Sequence, residues 1–260
     1  MLWHEQTWPV IRDLDKDIPV VVPLGSLEQH GHHLPLFVDS IQVQQIAQMV
    51  EQRMKDRLLL LPTQWLGCSD HHRDFPGTIS VSSSVYMQMV KSLARGILSA
   101  GFQRIFFLNG HGGNEAPAAA ALAELIGESD RADGAHLAFA SWWQVAADVI
   151  AKNNAKMRTP GISHACEYET SMILAIRPEL AGQAASSTPV IENAWYSSEY
   201  GGKVQLFHRY HRLTSAGSMG SPSAGTAEKG RELLETVVSC ICAFLADFAK
   251  WPLLPVIAPK

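Results

Sequence analysis

The residues best suited to chemistry in this chain fall in groups. In Gly25-Ser-Leu-Glu28-Gln-His30-Gly-His32-His33-Leu-Pro-Leu-Phe-Val-Asp39, a carboxylate and an imidazole stand two residues apart and a second carboxylate closes the stretch. In extended backbone, residues two apart project to one side, whereas on a helix they diverge. Carboxylate oxygen with neutral imidazole nitrogen is a donor set shared by zinc, manganese and iron. Asp39 has two oxygens, so it can serve one cation or bridge two. A second group is Leu108-Asn109-Gly110-His111-Gly112-Gly113-Asn114-Glu115. On its own, such a turn reads equally well as a plain turn or a phosphate cradle. The third is Ser163-His164-Ala-Cys166-Glu167-Tyr168-Glu169-Thr170-Ser171. His164 and Glu169 would diverge on one helix but can share a direction if the helix starts between them. Glu167 is then expected to be a solvated carboxylate favoured by the helix dipole. The three groups taken together point to a metal centre.

Positioning these groups falls to regular strand–helix alternation. Pro19 to Leu24 is a short, fully apolar run of the kind that forms a buried central strand. Asp39-Ser40 can cap a helix whose Ile41, Ile46, Val50 and Met54 share a face. Leu58 to Pro62, Arg104 to Leu108 and Ala135 to Ala140 read as further strands. Val85 to Leu98, Glu115 to Ile126 and Thr226 to Phe248 read as helices. Crossover helices join parallel strands, so the expected fold is a three-layer α/β/α sandwich with a mainly parallel (mixed) sheet, one domain over residues 1–260. Ligands of such sheets bind beyond the carboxyl ends of the strands, where the loops carrying Glu28 and His111 must lie. Ala184 to Thr214, with Trp195, Tyr196, Tyr200, Phe207 and Tyr210, is long and irregular and suggests a lid or subunit contact.

Composition narrows the classes. The chain has 260 residues, 47% hydrophobic and 18% charged, with net charge −4, which excludes a disordered segment and gives no basic field for nucleic acid. Four Cys are too few for a disulfide scaffold, and Cys240 and Cys242 point to different faces of a predicted helix. Met1 to Gln6 lacks the basic start and apolar run of a signal peptide, and no stretch reaches the roughly 18 apolar residues of a membrane span. A soluble, cytoplasmic protein with no membrane partner is therefore expected. Eleven His is an excess for this length, and five of them, His30, His32, His33, His111 and His164, fall in the groups above.

Together these motifs resemble the creatininase family of metal-dependent amidohydrolases, from Val20 to about Pro178 and more weakly from Ser215 to the C-terminal helix. Glu28-Gln-His30-Gly-His-His33 with Asp39 carries most of the resemblance. Asn109-Gly-His111-Gly-Gly-Asn114, His164 with Glu169-Thr-Ser, and His72-Arg-Asp-Phe75-Pro-Gly77-Thr78 also match. The resemblance implies a two-metal centre, zinc and/or manganese with iron as another option, and a homohexamer or other homo-oligomer. Glu28, Asp39 and His111 would hold one cation, and His30 and Asp39 the other. In creatininases proper a carboxylate ligand stands two beyond the motif His; here that place is Gly113, so Glu169 is the candidate to complete the second site. Pro160 stands where creatinine-specific members carry a lid Trp, while Trp143 matches a second family aromatic.

The implied reaction is hydrolysis of a C–N bond in a small amide, cyclic amide or formamide by water activated between the cations. His164 would pass a proton to the departing nitrogen, and Ser69, His72 and Trp143 would contact substrate. Relatives on the same scaffold hydrolyse formamides in flavin or deazaflavin biosynthesis, or trim a modified peptide. Two other classes compete. One is a thiol or serine hydrolase using Cys166 or Ser218 with His164 or His211. The other is a non-catalytic metal-binding assembly protein.

Overall fold

A computed structural model describes residues 1–153, 156–183 and 207–257. Its elements are α1 (Trp8–Asp13), β1 (Val20–Leu24), α2 (Val38–Met54), β2 (Leu59–Leu60), α3 (Ser83–Ser99), β3 (Arg104–Asn109), α4 (Glu115–Glu128), α5 (Asp130–Asp133), β4 (His136–Ser141), α6 (Trp142–Val145), α7 (Ala147–Asn153), α8 (Glu167–Ile176) and α9 (Ala227–Phe248). Four strands pair in the order β2-β1-β3-β4, and every ladder among the described residues is parallel. The α/β expectation is met, with no antiparallel strand in this sheet.

The strands are apolar throughout because both faces of the sheet are covered. Val21, Phe106 and Leu108 pack on one side with α2, α6, α8 and α9; Val20, Val22, Ile105 and Phe107 pack on the other with α3 and α4. This is the period-two alternation of a strand buried on both faces. β1 and β3 are neighbours, yet the chain leaves β1 for α2 on one face and leaves β3 for α4 on the opposite face. Their outgoing loops diverge and open a crevice between them, which is where open α/β sheets bind ligands.

Three local expectations need correction. Asp39 and Ser40 do not cap α2: Phe37 is its N-cap and both lie in the first turn, which frees the Asp39 carboxylate to turn towards the crevice. β2 is shorter than Leu58 to Pro62, since it sits at the sheet edge and Pro62 has no N–H to donate. Glu167 is not solvated. It is fully buried, accepts from the backbone N–H groups of Arg158 (2.7 Å) and Thr159 (2.8 Å), and pairs with Lys229 (2.6 Å). Of the irregular stretch, Trp195, Tyr196 and Tyr200 lie outside the described residues, and 207–213 supplies part of a cleft wall. No helix among the described residues is long and apolar enough to cross a membrane.

Helices α8 and α9 meet at Gly230, where a Cβ would strike the Ser171 backbone carbonyl and stand 2.9 Å from the Ala175 Cβ. Gly230→Ala is expected to cost about 1–3 kcal/mol through this overpacking. Urea unfolding should show a lower midpoint at unchanged slope.

Candidate metal centre

Short loops and asparagine side chains build the site. The loop after β1 delivers Glu28 and His30, and the first turn of α2 delivers Asp39. Asn109, at the end of β3, fixes the His111 turn by donating to the His111 carbonyl (2.6 Å) and accepting from its N–H (3.2 Å). Asn114 ties three loops together, donating to the Gly25 carbonyl (2.9 Å) and accepting from the Cys68 N–H (3.0 Å). α8 begins between His164 and Glu169, with Cys166 at its N-cap, so both side chains reach the same centre.

Asp39 lies between two imidazoles. Its Oδ1 is 3.1 Å from His30 Nε2, its Oδ2 is 2.9 Å from His111 Nδ1, and Ser26 Oγ donates to Oδ2 at 2.6 Å. His30 donates Nδ1–H to the Glu28 carbonyl (3.1 Å), which aims Nε2 at Asp39 and at Glu169, 3.8 Å away. Such an outer hydrogen bond fixes which nitrogen is free to ligate. His111 Nε2 lies 3.3 Å from Glu28 Oε2. Three groups of side chains bring ligand atoms within 4.8 Å of one another: Glu28, His30 and His164; Glu28, His71 and His111; His30, Asp39 and Glu169. Glu28, His30, Asp39, His111 and Glu169 are all buried, and the Oε2 atoms of Glu28 and Glu169 have no hydrogen-bond partner. Buried carboxylate oxygens left unpaired are costly, and a divalent cation is the partner this donor set suits.

Without a cation the centre balances its charge with protons. Burial pushes Glu28 up, aided by the neighbouring Asp39 charge and opposed by His111 and His30. Burial also works against Asp39, but the His30 and His111 charges outweigh it and hold that carboxyl well below the usual range. His30 and His111 are raised well above the ordinary imidazole value because, despite burial, the surrounding carboxylates stabilise their charged forms. His164 goes the other way. Burial and the His30 charge keep it neutral.

The other expected residues sit around this core. His164 donates Nε2–H to the Gln29 carbonyl (2.7 Å) and turns Nδ1 towards Glu28 Oε1 (3.7 Å). His72 is buried with Nε2 3.3 Å from Glu28 Oε1, and Ser69 Oγ is 3.3 Å from His111 Nε2. Trp143 is half-buried on the wall of a cleft of about 1000 Å³ that also exposes Glu28, Asp39, His111, His164 and Glu169. His33 is buried 2.9 Å from Thr170 Oγ1, while His32 is exposed.

The sequence gives no role to His71 or Gln29, and places Tyr210 only in a stretch that suggests a lid or subunit contact. His71 joins Glu28 and His111, although its place directly before His72 gave it no separate signal. Tyr210 lies across His72 (ring centroids 3.9 Å) and edge-on to His164 (4.8 Å), a placement set by a distant segment. Gln29 sits inside the motif between two ligand candidates, and its own type gives no metal-binding signal. Its Nε2 donates to His72 Nδ1 and to the Gly217 carbonyl, both at 2.9 Å. The nucleophile alternative finds no support: burial pushes the Cys166 thiol up to about 12, and His211 pairs with Asp74 at 2.7 Å.

The family model described as "Creatininase: Creatinine amidohydrolase" matches residues 4–245. The chain is 30% identical to the mycofactocin precursor peptide peptidase of Mycobacterium ulcerans (strain Agy99), over 94% of this chain and 86% of that protein. It is 26% identical to the 3-dehydro-scyllo-inosose hydrolase of Thermotoga maritima, over 88% of this chain and 76% of the relative. Among solved structures, a creatinine amidohydrolase superposes with a TM-score of 0.81 at 23% identity, covering 96% of this chain and 98% of the other. Two similar structures are a mutant creatininase of "Zn-Zn type" and a "Creatininase Mn", each with a TM-score of 0.80, 23% identity and coverage of 95% and 97%.

Because His30 and His111 carry protons in the metal-free protein, a cation must displace them. Apparent affinity should rise with pH and fall as the pH drops, with about one to two protons released per centre near neutrality. Calorimetry in buffers of different ionisation enthalpy measures that number.

Proposed function

The chain belongs to the creatininase family, and on that footing we propose that it is a divalent-metal hydrolase cleaving a carbon–nitrogen bond of a small amide, cyclic amide or formamide. One observation carries the reading: Glu28, His30, Asp39, His111 and Glu169 converge on a single buried centre whose Glu28 and Glu169 each keep an unpaired oxygen. Glu28, Asp39 and His111 would hold one cation, and His30, Asp39 and Glu169 the other, with zinc and manganese the cations this donor set suits best. Bound there, divalent cations polarise a carbonyl and make water acidic enough to supply a nucleophile near neutral pH.

The chain's own groups do the remaining work. His164 is neutral, and the Gln29 carbonyl holds its Nε2–H, so Nδ1 is the atom that takes up a proton at the centre and hands it to the departing nitrogen. The Gln29 amide donates to His72 Nδ1, so His72 presents Nε2–H to Glu28 Oε1 and holds that carboxylate in place. His72 and Trp143 line the substrate side of the cleft, whereas Ser69, expected there too, is fully buried against His111, and the Tyr210 ring shields His72 and His164 from water.

A second reading, hydrolysis at one end of a modified peptide by the same centre, is supported by the space available. The cleft, about 1000 Å³, stands at the upper end of the roughly 300–1,000 Å³ usual for small-molecule pockets. The relative named as a peptide peptidase also aligns over most of the chain.

A chelator is expected to abolish hydrolysis, and zinc or manganese to restore it. Glu28→Ala or Asp39→Ala should lower metal affinity by more than about a hundredfold, since even a supporting group costs about 10–100-fold. His164→Ala should retain metal and lose about 10²–10⁴ in kcat. A panel of lactams, formamides, short peptides and a polyhydroxylated cyclic ketone, assayed with reconstituted enzyme, separates the substrate classes. Full turnover by a metal-free preparation would refute the proposal. So would no turnover of any amide with metal fully loaded, the outcome expected of an assembly protein.

A further inference from the structure

Beside the five-residue set stands an imidazole with no assigned task. His71 follows Ser69 in the segment after β2, half-buried on the cleft wall, and packs against His72, His111 and Tyr210 with ring centroids 4.3, 5.6 and 5.6 Å apart. It lies nearly parallel to the His111 ring, at 12°. No described residue hydrogen-bonds to its nitrogens.

The space around Gly113 explains how His71 comes so close. A Cβ at Gly113 would strike the Cys68 carbonyl and stand 2.5 Å from His111 Nε2 and 2.7 Å from His71 Cε1. The loop carrying Cys68 and His71 therefore fills the volume that a side chain at position 113 would need, and no ligand can come from there. The imidazole that takes this volume belongs to a group whose ligand atoms, from Glu28, His71 and His111, lie within 4.8 Å of one another. Within Glu28, Oε1 faces His72 Nε2 at 3.3 Å, whereas Oε2, the oxygen without a hydrogen bond, lies on the His111 side.

We propose that His71 is a further ligand of the cation held by Glu28 and His111, supplied by the loop after β2, which occupies the space beside Gly113. The proposal rests on the metal-hydrolase reading above and deepens it. A second imidazole beside Glu28 makes this site richer in nitrogen, which favours zinc or cobalt over manganese. His71 thus sets metal preference at one site, while His30, Asp39 and Glu169 leave the other unchanged.

The test compares wild type, His71→Ala and His71→Asp, with folding checked by circular dichroism, zinc and manganese binding by calorimetry, and cobalt(II) by its visible absorption. His71→Ala should lose roughly tenfold or more in zinc affinity at one site, and change the cobalt bands, while the other site keeps its affinity. His71→Asp, which restores a donor of harder type, should recover occupancy with the preference moved towards manganese. A folded His71→Ala protein with unchanged zinc affinity, stoichiometry and cobalt spectrum overturns the proposal and leaves the metal centre standing. If His71→Ala does not fold, a folded His71→Asp protein with wild-type zinc-over-manganese preference overturns it equally. Wild type that binds no divalent cation overturns the metal-hydrolase reading itself.

Discussion

The burial of several carboxylates at one point on the sheet edge constrains everything around it. Glu28, Asp39 and Glu169 cannot all be ionised in a site shielded from water unless positive charge stands among them. In the metal-free chain that charge comes from His30 and His111, whose imidazoles hold protons well beyond their ordinary range. Asp39, between the two rings, is held firmly ionised, whereas burial pushes Glu28 up. A cation can take over the same role because the donors already surround the space, and the protons it displaces are the cost of entry.

Backbone carbonyls and amide side chains decide which atom each ring offers. The Glu28 carbonyl orients His30, the Gln29 carbonyl orients His164, and the Gln29 side-chain amide orients His72. Residues 28 to 30 thus supply ligands and the hydrogen bonds that aim neighbouring rings. Glu167 plays a comparable part at a distance. Buried against Lys229 and the N–H groups of Arg158 and Thr159, it anchors the loop leading into His164. The close approach of α8 and α9 at Gly230 then holds the helix that bears Glu169.

Much of this was legible in the chain. Apolar runs marked the four strands, and periodic stretches marked the long helices, since a two-sided buried sheet and amphipathic cover leave plain patterns. A helix starting between His164 and Glu169 follows from local geometry, and the structure has it. The roles of Glu167, His32 and His71 were not legible. Each depends on what another segment brings alongside: Lys229 for Glu167, open solvent for His32, and the vacancy at Gly113 for His71.

The sequence by itself determined the donor types, their order along the chain and the alternation that places two of their loops beyond the carboxyl ends of neighbouring strands. Those properties are local, carried by side-chain chemistry and by the periods of strand and helix. Only the tertiary structure decided that Asp39 stands between His30 and His111, that Glu28 and Glu169 are each left with an unpaired oxygen, and that His71 fills the space beside Gly113. The reason is that chain segments far apart in sequence meet there, and burial, hydrogen-bond direction and shared volume exist only once they have met.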